Sequence, residues 1–99
     1  MMDPGSRLRA RLVNLAVPER ARLLRLLELE ELAVGEIARV VQLPQSTVSR
    51  HLKALEEDGW LLPRREGTAR LFAMRPDLEA DALRLWEIVR EATDGEHAS

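Results

Sequence analysis

A chain of 99 residues with 45% hydrophobic content suits one domain, spanning 1–99, around a single core, and its formal net charge of -2 gives no general attraction for polyanions. With no cysteine, thiolate metal binding and thiol redox chemistry are excluded, and with only His51 and His97 there is no nucleophile, metal triad or acid/base pair at recognisable spacing, so neither an enzyme nor a cofactor is expected. No apolar run approaches the roughly 20 residues that cross a bilayer, and Met1 to Ser6 lacks a signal-peptide core, so a cytoplasmic chain with no membrane partner is expected.

In chain order, a first helix is predicted over about 6–16, with Leu8, Leu12 and Leu15 at i, i+4 and i+7, ending before Pro18. A second follows over 19–30; Glu28, Glu30 and Glu31 at its end read as a solvated acidic face. A short amphipathic helix over 34–41 puts Val34, Ile37, Ala38 and Val41 on one side. Gln42-Leu43-Pro44 is then a three-residue turn, the spacing of a helix-turn-helix. The next helix, 45–57, carries Val48, Leu52 and Leu55 as its core stripe and Ser46, Ser49, Arg50 and Lys53 on the opposite face, on a cylinder narrow enough for the DNA major groove. It stops near Asp58, because Gly59 can turn left-handed and Trp60 can fold back onto Leu55.

Two extended runs, Leu61 to Arg65 and Thr68 to Met74, flank Glu66-Gly67 and predict a hairpin wing over about 60–74. Arg64, Arg65 and Arg70 gather near its tip, where they can reach phosphates or a minor groove, or can simply protect an exposed strand edge. A last helix is expected over 77–92, capped by Asp77, with Leu78, Ala82, Leu85 and Val89 in one row and Leu83 and Trp86 in a second. The first five residues and Asp94 to Ser99 are expected to be loose ends. The fold class is therefore mainly α with a small β-hairpin wing.

Charge distribution answers the objection that the chain is acidic. Residues 1–30 hold six basic and four acidic groups, 31–44 one and two, 45–75 six and four, and 76–99 two and seven. The acid is concentrated in the C-terminal segment, away from the predicted helix-turn-helix and wing. On the helix over 45–57, Arg50 suits a bidentate contact to a guanine edge, Gln45, Ser46 and Ser49 shorter contacts to bases or phosphate, and Lys53 a phosphate. Thr47 can cap or touch phosphate, and His51 can face DNA or pack at the margin of the apolar stripe.

Residues 19–75 resemble the ArsR-type winged helix-turn-helix regulators, through Val34-Gly35-Glu36-Ile37-Ala38, Gln45 to Leu55, Gly59-Trp60-Leu61 and Arg64-Arg65-Glu66-Gly67. The resemblance implies a homodimeric transcription factor, usually a repressor, that binds a pseudo-palindromic operator on double-stranded DNA and releases it when a small effector binds. It also implies that the first and last helices pack across the two-fold axis; on that role Leu8, Leu12, Leu15, Leu78, Ala82, Leu85, Trp86 and Val89 are the expected interface residues, with Trp86 as anchor. Both helices covering their own core is the alternative. Two departures stand out. The cysteine metal site of many members is absent, and Pro44 stands where the family more often has a Ser or Thr able to cap the recognition helix, so that a cap worth roughly 1 kcal/mol is either missing or moved to Ser46.

Other readings are the DNA-binding portion of a longer, methyltransferase-like regulator, and a winged helix reused for protein contacts. A hard metal held across a dimer by Asp81, Glu87 and Glu91 is a minor possibility by sequence.

Overall fold

Residues 3–98 are described by a computed structural model, with side chains as far as Asp94; the expected loose ends at Met1, Met2 and Ser99 lie outside the described residues. Among the described residues the chain forms five helices and a three-stranded antiparallel sheet: α1 (Pro4–Leu15), α2 (Pro18–Leu29), β1 (Leu32–Ala33), α3 (Val34–Val41), α4 (Gln45–Glu57), β2 (Leu61–Glu66), β3 (Ala69–Met74) and α5 (Ala80–Ala98).

Both ends of the helical set differ from expectation. The first helix begins at Pro4, because the Asp3 side chain accepts the Ser6 N–H at 2.7 Å and Pro4 gives up no hydrogen bond in the first turn. The last begins at Ala80 and runs to Ala98. Asp77 does not cap it, since its carboxylate is taken by the Arg75 guanidinium at 3.2 and 3.3 Å; the Glu79 carbonyl instead accepts the Leu83 N–H. Pro18 starts α2 with no side-chain cap behind it.

Sheet order is β1-β3-β2. β1 pairs Leu32 with Phe72 and Ala33 with Leu71, a third strand that two residues are too short to announce by periodicity. β2 pairs with β3 from Leu61↔Met74 to Glu66↔Ala69, so the loop is Gly67-Thr68, one residue later than expected, and Gly67 supplies the positive φ of 62° that a two-residue hairpin turn requires.

Leu23, Leu24 and Leu27 of α2 lie at the centre of the core, against Ile37 of α3, Val48, Leu52 and Leu55 of α4, Trp60, Leu61, Phe72, and Ala82 and Trp86 of α5. Trp86 is 2% exposed. Its indole N–H donates to Glu28 at 2.7 Å, and Glu28 also accepts from Arg25 at 2.8 Å and Arg90 at 2.9 Å. Glu28 is thus a partly buried tie between α2 and α5 rather than part of a solvated face. Burial alone would raise its pKa, but the bonds from Trp86 and Arg25 and the charge of Arg90 outweigh that and leave it below the ordinary value.

Candidate nucleic-acid interface

α4 is built so that one face is fixed and the other is free. Val48, Leu52 and Leu55 are buried, while Gln45, Ser46, Ser49, Arg50 and Lys53 are exposed and Thr47 and His51 lie between. The turn ahead of it holds Gln42 left-handed at φ 58°, with Leu43 N–H bonded to the Ala38 carbonyl at 3.3 Å. Pro44 occupies the N-cap with no side-chain bond, as its chemistry demands, leaving first-turn N–H groups of α4 unclaimed at the exposed end. At the other end Trp60 N–H bonds Leu55 O at 2.9 Å and Gly59 N–H bonds Glu56 O at 3.1 Å, with Gly59 at φ 82°. This 6→1 and 5→2 pair is a Schellman motif, and it turns the chain directly into β2.

Arg50 and Lys53 take part in no ion pair among the described residues. The wing arginines are split. Cross-strand partners share a face, so Arg65 and Arg70, directly opposite each other, lie on the face that carries Phe72 and Leu61 further down the strands. Arg70 reaches α4, bonding Glu56 at 2.7 Å with its guanidinium 5.1 Å from the Phe72 ring centroid. Arg65 pairs with no carboxylate among the described residues. Arg64 lies on the other face, bonded to Glu31 and Glu66. The expected single cluster of three arginines is therefore two on the α4 side and one behind, because side chains alternate along β2.

His51 is turned toward the protein. Arg20 Nε donates to His51 Nδ1 at 3.1 Å, and a ring nitrogen that accepts must be unprotonated, leaving the proton on Nε2. Burial, then the charge of Arg20, lowers the His51 pKa below 6.5 against a smaller upward pull from Glu19.

The residues expected at a two-fold interface also divide. Leu8 and Leu12 are exposed, at 37% and 47%. Leu15, Ala82 and Trp86 are instead buried in their own protomer, and Leu78, Leu85 and Val89 pack partly against the same core. Trp86, expected as the interface anchor, has its ring and its N–H both used within the protomer. The large apolar side chains that α1 and α5 leave exposed are Leu8, Leu12, Val13, Leu83 and Ile88.

Between α1, the end of α4 and the start of α5 lies a cleft of about 570 Å³ lined by Arg7, Arg11, Asp58, Arg75 and Glu79, among others. Arg11 is 6% exposed, paired with Glu79 at 3.2 Å, and its buried Nε has no hydrogen-bond partner. Among the described residues no group of three His, Asp or Glu is placed to hold a metal, and no helix is long and apolar enough to cross a membrane.

A family model described as "Bacterial regulatory protein, arsR family" matches residues 17–60, from the entry into α2 to the end of the Schellman turn. A crystal structure of a possible transcriptional regulatory protein (fragment 1–100) from Mycobacterium bovis is 31% identical, covering 88% of this chain and 91% of that one with a TM-score of 0.66. The solution structure of a homodimeric winged helix-turn-helix DNA-binding domain from M. bovis, from a possible ArsR-family regulator, is 28% identical over 95% of this chain and 88% of that one, TM-score 0.68. NolR from Sinorhizobium fredii is 25% identical over 93% and 94%, TM-score 0.77. No curated protein matches significantly.

Proposed function

The chain belongs to the ArsR family of bacterial regulatory proteins, which are DNA-binding regulators rather than enzymes, and from that premise we propose that it acts as a homodimer that binds a pseudo-palindromic operator and represses transcription. The observation that carries the reading is the outer face of α4. Gln45, Ser46, Ser49, Arg50 and Lys53 are exposed together on a helix whose other face is locked into the core, and Arg50 and Lys53 are not neutralised by any carboxylate among the described residues. Arg50 is the base reader of the set and Lys53 a phosphate contact; Thr47, at the capless start of the helix, adds a hydroxyl to N–H groups that suit a phosphate. Arg65 and Arg70 extend the contact along the wing.

The exposed apolar side chains of α1 and α5, Leu8 and Leu12 among them, which a lone protomer leaves in water, support dimerisation. The M. bovis domain is homodimeric, and its chain is matched over nearly its whole length. Two recognition helices related by a two-fold axis read half-sites about one helical turn, roughly 34 Å, apart. The effector is a small molecule not held by thiolates, and the cleft beside Arg11 is the place where its binding would change how α1 meets α5.

Selection of bound duplexes from a random pool at near-physiological salt tests this reading. Enrichment of an inverted repeat with half-sites one turn apart is the expected result. A folded protein that enriches no motif would overturn it in favour of a winged helix used for protein contacts.

A further inference from the structure

One partly buried asparagine on α1 holds both the middle and the end of the recognition helix. Asn14 is 8% exposed, and its amide is used on both sides. Its Nδ2 donates to Asp58 Oδ2 at 2.8 Å and to the Ala10 carbonyl at 3.2 Å, and its Oδ1 accepts from Arg20 Nη1 at 2.6 Å. Arg20 spends a second nitrogen, Nε, on His51 Nδ1 at 3.1 Å. Asp58, the C-cap of α4, accepts a further bond from Trp60 Nε1 at 2.8 Å. A continuous set of five side chains therefore runs from α1 through α2 to the middle of α4 and, separately, from α1 to the C-cap of α4 and the root of the wing.

We infer that Asn14 is a positioning residue for DNA readout: through Arg20 and His51 it fixes the rotation of α4, through Asp58 its end, and so the direction in which Arg50 points. The inference rests on the proposal that α4 reads bases. Three observations carry it. His51 immediately follows Arg50, so the bond that holds the His51 ring turns the same stretch of backbone that carries the reading side chain. Val48, Leu52 and Leu55 hold α4 to the core by non-directional apolar contact; the hydrogen bonds at His51 and Asp58 add directional constraints beside that stripe. The amide of Asn14 has its donor and acceptor ends filled by partners of opposite character, a carboxylate and a guanidinium, so movement of α1 shifts both together.

α1 is also the helix that exposes Leu8 and Leu12 on its outward side. The inward Asn14 thus connects the surface proposed for dimerisation to the surface proposed for DNA. Asp58 additionally lines the cleft beside Arg11, which places one member of the set where a small molecule could reach it.

The test uses the full chain and two duplexes, the one enriched by selection and a scrambled duplex of equal length and composition. The ratio of their Kd values is measured for the wild type, Asn14→Ala and Arg20→Lys, each shown to be folded at the working temperature. Arg20→Lys keeps the charge, but one ammonium nitrogen cannot replace the fork that spans Asn14 and His51. Each variant is expected to lower the ratio about tenfold, the value of one to two hydrogen bonds, with binding to the scrambled duplex and its salt dependence unchanged. The double variant should lose little more than Asn14→Ala alone, since the branch that Arg20→Lys cuts is one of the two that Asn14→Ala cuts. A wild-type ratio retained in the folded variants, or equal weakening on both duplexes, overturns the inference; a merely structural role would produce one of those two results. Should Asn14→Ala fail to fold, Arg20→Lys alone decides. A wild-type ratio near one is a different failure, of base reading itself, and the inference falls with it.

Discussion

Arg64 of the wing is held by Glu31, whose carboxylate accepts from Arg64 Nε at 3.0 and 3.2 Å across the central strand of the sheet. The pairing lowers the Glu31 pKa and raises that of Arg64, so both stay charged at any physiological pH. It depends on β1, which brings the end of α2 alongside the hairpin, and on the proposed DNA reading it competes with phosphate for Arg64.

Removing that competitor should tighten DNA binding. Exposed ion pairs are worth about 0–1 kcal/mol, so Glu31→Gln is expected to raise affinity for any duplex about two- to fivefold and to steepen the salt dependence by one phosphate contact. Fluorescence anisotropy across a salt series measures both. An unchanged slope would mean that Arg64 does not reach DNA.

Leu12 projects from α1 at 47% exposure, and a carboxylate there does not enter the protomer core. Leu12→Asp should leave the fold intact, as surface changes usually cost within about 0.5 kcal/mol, while shifting sedimentation from dimer to monomer at micromolar protein. Persistence of the dimer with unchanged dissociation would place the two-fold contact elsewhere.

A depressed His51 pKa ties stability to pH in a defined direction. The unfolded chain takes up the His51 proton more readily than the folded one, so the contribution is complete above about 6.5 and is lost as pH falls below it toward the lower native value. The carboxylates with lowered pKa, Asp3, Glu28, Glu31 and Asp77, act only below about 4.5, so among the described residues His51 is the group with a shifted pKa that acts between pH 7.5 and 5. Thermal melts should show the wild type losing more stability across that interval than His51→Gln. Equal losses would rule out the Arg20 contact as their source.

Glu28 ties Trp86, Arg25 and Arg90 together with its side chain 22% exposed. Hydrogen bonds to a charged group contribute more than neutral ones, so Glu28→Gln should lower unfolding free energy by about 2 kcal/mol in denaturant titration. A change below a few tenths of that would mean that the buried ring of Trp86, not its N–H, holds α5 in place.

The central part of the fold was legible because several local signals coincide there. Residues 34–60 combine an apolar stripe at helical spacing, a three-residue turn and a Gly59-Trp60 stop, and each signal constrains its neighbours. Elsewhere the signals compete. Asp3-Pro4 is a proper helix start that composition disguises as a loose end, whereas Asp77 looks like a cap and is diverted by Arg75 two residues away. β1 is two residues long, and Glu31's part in the wing depends on it, so neither can be read from periodicity. Trp86 illustrates a general ambiguity: an apolar face of α5 wide enough for two partners does not say which row meets the core. Of the α4 residues expected to meet DNA, Gln45, Ser46, Ser49, Arg50 and Lys53 lie on its exposed face as helical spacing implies, but the inward turn of His51 depends on Arg20, which lies 31 positions away in sequence.

The most direct measurement is the affinity of Arg50→Ala for the selected duplex and for a set of its single-base-pair variants. If α4 reads bases through Arg50, the substitution costs roughly 1–3 kcal/mol on the selected site and abolishes the preference at one base pair in each half-site while leaving the others intact. Equal weakening on every duplex, with all preferences retained, would contradict base reading by Arg50 and reduce it to a phosphate contact.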